Sequence, residues 1–287
     1  KVIDAAGERP FFLYLAHHAP HSPIEAKPDL VDRYTQDLQA ELKHQNPHYA
    51  AMVHSLDESV GRIMRRLEER GLAEFEEKVE KYGCKGVKLY TAEWHGDSRG
   101  WKLDDPWAER YLAKCAELGV TNIHVHKGPT IWPLQKDSFD VADIDHAATN
   151  FPELNFIVEH VGMPRVEDFC WIAVQEPNVY GGLAVLMPFI HPKPHYFASV
   201  MAELLFWLGE DRLLFASDYA LWHPKWLIEK FVDFELPEAV SEESGGVKLT
   251  VEGKQKILGL NACKLYGVDP GEHAAKIAGD QFAAAAA

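Results

Sequence analysis

Cysteine is sparse in this 287-residue chain: Cys84, Cys115, Cys170 and Cys263 lie far apart, and no C-x-x-C pair occurs. That pattern fits buried thiols in a reducing, cytoplasmic setting better than a zinc knuckle or a disulfide framework. No apolar run approaches the roughly 20 residues of a membrane span, and no charged start with an apolar centre marks a signal peptide. Positive charge is also short, with 29 Lys and Arg against 44 Asp and Glu, for a formal net charge of −15. The carboxylates are spread along the chain, so they read as a solvated acidic surface and argue against a nucleic-acid partner. A small-molecule substrate and a homo-oligomer stay open as partners.

Hydrophobic residues make up 47% of the chain, enough to bury a sizeable core in one large α/β domain or two smaller ones. The chain opens at Lys1 rather than Met, which leaves room for a missing N-terminal part. Its closing alanine run carries no core pattern, so residues 272–287 are set apart as a tail. "PFFLYLA" (10–16) has the composition of a buried strand, and a histidine- and proline-rich loop, "HHAPHSPIEAKP", follows it. From Tyr49 onward, Met52, Val53, Leu56, Val60, Ile63, Met64 and Leu67 recur at helical spacing, predicting an amphipathic helix that ends near Gly71.

From residue 73 the texture changes to a regular alternation. "AEFEEKVEKYG", "WAERYLAKCAELG", "YFASVMAELLFWLG" and "KQKILGLNACKLYG" read as helices with glycine stops. Between them, "KGVKLY", "NIHVH", "FPELNFIVEH", "NVYGGLAVL" and "DRLLFASD" read as strands. Such alternation implies right-handed βαβ units and a parallel sheet, with chemistry at the carboxyl ends of the strands. The residues at those ends are Lys88, His124, His126, Glu159, His160 and Asp218.

Imidazole and carboxylate are good ligands for zinc and similar divalent ions, and a catalytic ion makes a bound water nucleophilic near neutrality. Taken singly, a strand-end histidine is more often a hydrogen-bonded surface or core residue than a ligand, Asp218 is as readily a turn cap as a ligand, and Lys88 more often snorkels into solvent or pairs with a carboxylate. His, His and Asp at three strand ends of one βαβ series form a more specific pattern than any of them alone.

The stretches "KGVKLYTAEW", "NIHVHKGPT", "NFIVEHVGMPR", "EPNVYGGLAV", "LLFASDYALW" and "ILGLNACKLYG" resemble, in order, the metal-dependent amidohydrolase superfamily, in the branch of aminocarboxymuconate-semialdehyde decarboxylase. The resemblance implies an α/β fold, a TIM-barrel-like (β/α) metal-dependent hydrolase of which strands four to eight are recognisable. It implies His126 and Asp218 as metal ligands, and His160 as a ligand or as the acid/base acting on water. Asp218 and His160 are thus the expected catalytic residues. Loop positions Glu93, Trp94, His95 and Arg165, with Lys88, become candidate substrate contacts.

The same family carries an H-x-H pair on its first strand, whereas the only H-x-H here is His124 to His126. The expectation is therefore a barrel portion over 73–271 that lacks the N-terminal H-x-H part. Residues 1–72, with "PFFLYLAHHAPHSPIEAKPDLVDRY" and "NPHYAAMVHSLDESVGRIMRRLEERGL", resemble instead an internal fragment of a type I sulfatase. In that family the histidine of the PH-x-P turn contacts sulfate, and His21 holds that place, yet the chain has no C-x-P-S-R or DNG sequence. Together the two resemblances describe a chimera joined near residue 72.

The leading expectation is a metal-dependent hydrolase whose activated water attacks an amide, lactone or related carbonyl, with zinc as the ion. The alternatives are a non-oxidative decarboxylase of the same fold, an inactive or structural chain lacking strand-one ligands, and a sulfate-ester hydrolase resting on His21.

Overall fold

Asn46 and Pro47 start the longest helix among the described residues. The Asn46 side-chain oxygen accepts from the backbone N–H groups of His48 and Tyr49 at 3.0 and 3.1 Å, and Pro47 takes the first helical position, where no N–H is needed. The computed structural model describes residues 24–36, 45–91, 100–130, 134–219 and 222–277. The chain divides into two compact units, Lys1–Lys78 and Val79–Ala287.

In the first unit α1 (Pro28–Gln36) precedes α2 (Pro47–Tyr82), which runs on past the end of that unit. The Tyr34 hydroxyl meets His54 Nδ1 at 2.9 Å, and Lys27 pairs with Glu58 at 2.8 Å. Two sequence expectations are corrected here. Helix α2 does not stop near Gly71 but passes straight through it. A glycine in an exposed helix interior costs only about 1 kcal/mol, too little to end a helix whose neighbours on both sides favour it. Nor is the apolar stripe continuous: Ala51 and Met52 are buried, whereas Val53 and Val60 stand in solvent. The predicted strand "PFFLYLA", the loop after it and His21 lie outside the described residues.

The second unit is an α/β layer. Its five strands are β1 (Gly86–Leu89), β2 (Asn122–His126), β3 (Asn155–Glu159), β4 (Val179–Gly182) and β5 (Leu213–Leu214). All neighbours are parallel and the spatial order equals the chain order, the arrangement produced by successive right-handed crossovers. The crossovers include α3 (Pro106–Glu117), α4 (Ala142–Asn150), α5 (Val166–Gln175) and α6 (Pro194–Leu208). Ile123, Val125, Phe156, Val158 and Val179 share one face of the sheet and are fully buried. The alternate residues of the same strands, Lys88, His124, His126 and Glu159 among them, therefore share the other face.

Two strands are shorter than the sequence suggests. "NVYGGLAVL" pairs only over Val179–Gly182, after which Val185 adopts φ 64° and a 3-10 turn begins at Met187. "DRLLFASD" pairs only at Leu213 and Leu214. Past these, β5 is finished by the C-terminal helical run, α7 (Pro224–Val232) and α8 (Glu238–Glu243) lying between them in the chain. That run comprises α9 (Val251–Gln255), a π turn (Lys256–Leu260) and α10 (Asn261–Tyr266), and α11 (Pro270–Ile277) follows it. The Phe215 N–H donates to the Ile257 carbonyl at 2.8 Å, and Asn261 Nδ2 donates to the carbonyls of Glu210 and Leu213, each at 2.8 Å. The π turn leaves a carbonyl available to the strand, so helix groups occupy backbone positions that would otherwise be an open sheet edge.

Among the described residues no disulfide forms; Cys115 and Cys170 are fully buried, as expected of structural thiols, whereas Cys84 and Cys263 are half-buried. Among the described residues no helix is long and apolar enough to cross a membrane.

Candidate functional site

The carboxyl end of β2 presents His124 and His126 two residues apart on one face, and the end of β3 presents Glu159 directly opposite His126. Just beyond β3 the chain turns through three left-handed residues, His160 (φ 70°), Val161 (φ 44°) and Gly162 (φ 68°). A β-branched residue in that region is a genuine outlier and marks a strained turn. Its result is that the His160 ring is folded back toward β2.

His160 Nε2 lies 2.8 Å from His126 Nδ1, and His126 Nε2 lies 3.1 Å from the Pro129 carbonyl. A carbonyl can only accept, so His126 Nε2 carries the proton, Nδ1 accepts, and His160 Nε2 donates. Burial pushes the His126 pKa down to about 4, which keeps this ring neutral across the physiological range. Burial also lowers the His160 pKa, with the Ala184 backbone pulling the other way. The Tyr90 ring packs on His126 at 4.3 Å between centroids, and Phe139 meets the same ring edge-on at 5.5 Å.

Asp218 follows β5 in a left-handed conformation, φ 54°, and is partly exposed. Its charge acts on Lys88, Tyr90, His126 and His160. The expected ligand set His126, His160 and Asp218 is nonetheless not gathered as three. Among the described residues no group of three His, Cys, Asp or Glu side chains is close enough to hold one ion. The two imidazoles are hydrogen-bonded to each other, the buried His160 Nδ1 has no hydrogen-bond partner among the described residues, and Asp218 stands back from them as a neighbouring charge.

The histidine pair still fits a metal ion in kind. Two nitrogens bound to one tetrahedral ion at about 2.0–2.1 Å stand roughly 3.3 Å apart, so a pair at 2.8 Å needs to open by only about half an ångström.

A second polar chain lies beside the first. His124 Nδ1 is 2.7 Å from Glu159 Oε1, and His124 Nε2 is 2.7 Å from the Tyr266 hydroxyl. Burial alone would raise the Glu159 pKa, but the His124 hydrogen bond and the Lys88 charge carry it below the usual carboxylate range. Lys88 Nζ sits 3.8 Å from Glu159 Oε1 with its side chain 47% exposed, and partial burial lowers its pKa. Glu159 Oε2 is buried without a hydrogen-bond partner among the described residues and lies against Gly182, where a Cβ would collide with it. Tyr266 carried no signal in the sequence, because it comes from the far end of the chain.

A third network was equally invisible. The Lys127 ammonium, fully buried, donates to Asp143 Oδ2 at 2.7 Å and to the Ser138 carbonyl at 3.1 Å. Asp143 Oδ2 also accepts from the Leu103 N–H at 2.8 Å, and Thr91 Oγ1 donates to the same Ser138 carbonyl at 2.6 Å. Together these bonds pin the loops after β1 and β2. A lysine after a strand-end histidine reads as a surface cation, and nothing in one sequence reveals its buried partner.

Of the substrate-contact candidates, Lys88 faces the histidines' side of the sheet. Arg165 is tied to Asp140 at 3.1 Å and Asp168 at 3.6 Å, and lines a cleft of about 450 Å³ with Pro129, Phe139 and Met163. Glu93, Trp94 and His95 lie outside the described residues.

With this geometry in place, comparison with known proteins places the chain. The family model described as Amidohydrolase matches residues 13–268, a span that begins well upstream of residue 73. An uncharacterized TIM-barrel protein from Bordetella bronchiseptica aligns with a TM-score of 0.53 at 21% identity, covering 70% of this chain and 63% of that one. At that identity the likeness is one of fold. A 2,6-dihydroxybenzoate decarboxylase from Rhizobium aligns with a TM-score of 0.49 at 15% identity, over 70% of this chain and 68% of that one. A sulfatase from Formosa agariphila is 37% identical over 62 residues, which is 22% of this chain and 11% of the relative. The chain therefore spans a small part of that curated sulfatase and less than two thirds of the Bordetella protein.

Proposed function

The chain belongs to the amidohydrolase family, and from that premise we propose that it is a metal-assisted hydrolase acting on an amide, lactone or related carbonyl of a small molecule. The observation that carries the reading is the convergence of His160 Nε2 and His126 Nδ1 at the carboxyl ends of adjacent parallel strands. Those two nitrogens would hold the ion, His160 passing from its Nε2–H to its Nδ1–H tautomer to free the lone pair, with Asp218 as the nearby carboxylate. Zinc suits imidazole and carboxylate donors, and when bound it polarises a carbonyl and brings a water's pKa toward neutrality.

The protein's own groups supply the rest. Neutral His126 keeps its lone pair on Nδ1 because Nε2 donates to Pro129. Asp218, partly exposed and electrostatically linked to both imidazoles, takes the proton of the attacking water and returns it to the departing amine or alcohol. Lys88 offers a cation on the same face for an anionic substrate group.

Lys88 also favours a second reading of the same site. Held there, a carboxylate would leave as carbon dioxide while Asp218 delivers a proton to the carbon left behind. Zinc titration of the whole protein tests the first step common to both. The expectation is about one equivalent bound, lost in the His126→Ala/His160→Ala double variant; equal binding by that variant sinks the reading. Assaying amides, lactones and aromatic or muconate-like acids with the loaded protein then separates hydrolysis from decarboxylation.

The sulfate-ester reading rests on His21 and on the short likeness to the sulfatase. We assign the segment 1–72 as a sulfatase-like piece preceding the barrel portion 73–271, on the strength of its sequence.

A further inference from the structure

We propose that Tyr266 is a positioning residue for the His126–His160 pair, acting through His124 and Glu159. The inference rests on the proposed metal site and deepens it.

The two cross-strand links form a closed circuit. His124 and His126 are neighbours on one face of β2, and Glu159 and His160 are consecutive at the end of β3. One link joins His124 Nδ1 to Glu159 Oε1 at 2.7 Å, and the other joins His126 Nδ1 to His160 Nε2 at 2.8 Å. An ionised carboxylate only accepts, so His124 Nδ1 donates; in the neutral ring Nε2 then accepts, and the Tyr266 hydroxyl is the donor. Tyr266 thereby holds Nε2 as the acceptor and reinforces the His124 tautomer that grips Glu159.

The grip matters because the residue after Glu159 is strained. His160 and Val161 both hold positive φ, and such conformations persist only where the surroundings over-determine them. Fixing the Glu159 side chain fixes the last residue of β3 before that turn, and so the direction from which His160 reaches back to His126.

The sheet makes room for this arrangement. A Cβ at Gly86 would lie 2.9 Å from the Tyr266 hydroxyl, and a Cβ at Gly182 would strike the Glu159 carboxylate. The helix carrying Tyr266 is anchored separately, by Asn122 Nδ2 donating to the Leu265 carbonyl at 3.0 Å. Anchoring and tautomer reinforcement can therefore be removed one at a time.

The test compares Tyr266→Phe with Asn122→Ala in the full chain. Its readouts are imidazole nitrogen NMR without metal, zinc affinity by chelator competition, and thermal unfolding. The proposal expects Tyr266→Phe to leave His124 Nε2 unpaired and lower the share of its Nδ1–H form, move the His160 and His126 ring signals, and weaken zinc about tenfold, the low end for groups that orient ligands. Asn122→Ala is expected to lower the melting temperature while leaving zinc affinity of the folded protein within about twofold of the parent. Tyr266→Phe leaving the His160 and His126 ring signals in place overturns the proposal, as does unchanged zinc affinity or a profile identical to that of Asn122→Ala. If the parent protein binds no zinc, the proposed function fails while the metal-free ring spectra still decide the role of Tyr266.

Discussion

The Lys127 ammonium, with no exposure to solvent, lies 2.7 Å from the Asp143 carboxylate. Burial lowers the lysine's pKa and raises that of the aspartate, and each partner's charge works against that cost. Removing one member leaves the other buried and uncompensated, whereas replacing both with apolar residues of similar size removes the desolvation cost too. Asp143→Ala is expected to destabilise the protein by about 3–5 kcal/mol, and Lys127→Met with Asp143→Leu to recover most of that loss. Denaturant unfolding checks it; a double variant no better than the single one would show that the pair is not coupled in this way.

Acid should act through His126. Its pKa is about 4 in the folded chain against an ordinary value of 6.5, so below pH 6.5 the unfolded chain binds more protons and folding is progressively disfavoured down to pH 4. The stability present above pH 6.5 and lost across that window is on the order of 2–3 kcal/mol, allowing for partial solvation. His126→Asn, which does not titrate, is expected to flatten the slope of unfolding free energy between pH 7 and pH 4. An unchanged slope would assign the acid sensitivity elsewhere.

Gly182 has no room for a methyl group, since a Cβ there would strike Glu159 Oε2 and stand 3.3 Å from the Glu159 Cα. Gly182→Ala is expected to cost about 1–3 kcal/mol and to displace Glu159 from His124. Thermal unfolding together with the His124 ring signals measures both effects. A variant as stable as the parent, with His124 undisturbed, would contradict the close approach described for this strand.

Gly71 tests the continuity of α2. Among the described residues nothing lies within 4 Å of a Cβ built there, and the residue sits in an exposed helix interior. Gly71→Ala should stabilise the first unit by about 0.5–1 kcal/mol and raise helical circular dichroism slightly. Were the helix to end at Gly71, as its sequence suggests, the same change would destabilise.

Much of the second unit was legible before its structure. Short apolar runs separated by amphipathic ones fix parallel βαβ order, and the glycine stops at Gly83, Gly119, Gly209 and Gly267 all adopt positive φ as anticipated. Gly71 misled because glycine ends a helix only when the following residues cannot continue it. The polar residues at the strand ends were equally visible, since a period of two puts His124 and His126 on one face wherever the strand lies.

Sequence by itself determined the family, the order of the strands and which side chains stand at their carboxyl ends, because these follow from local periodicity and short motifs. Tertiary structure alone decided which of those side chains meet. The left-handed turn after β3 folds His160 onto His126 and not toward Asp218, Tyr266 arrives 142 residues from the histidine it touches, and Lys127 finds its buried carboxylate 16 residues away. Contacts of that kind depend on the path of the backbone between them, which no spacing of residue types records.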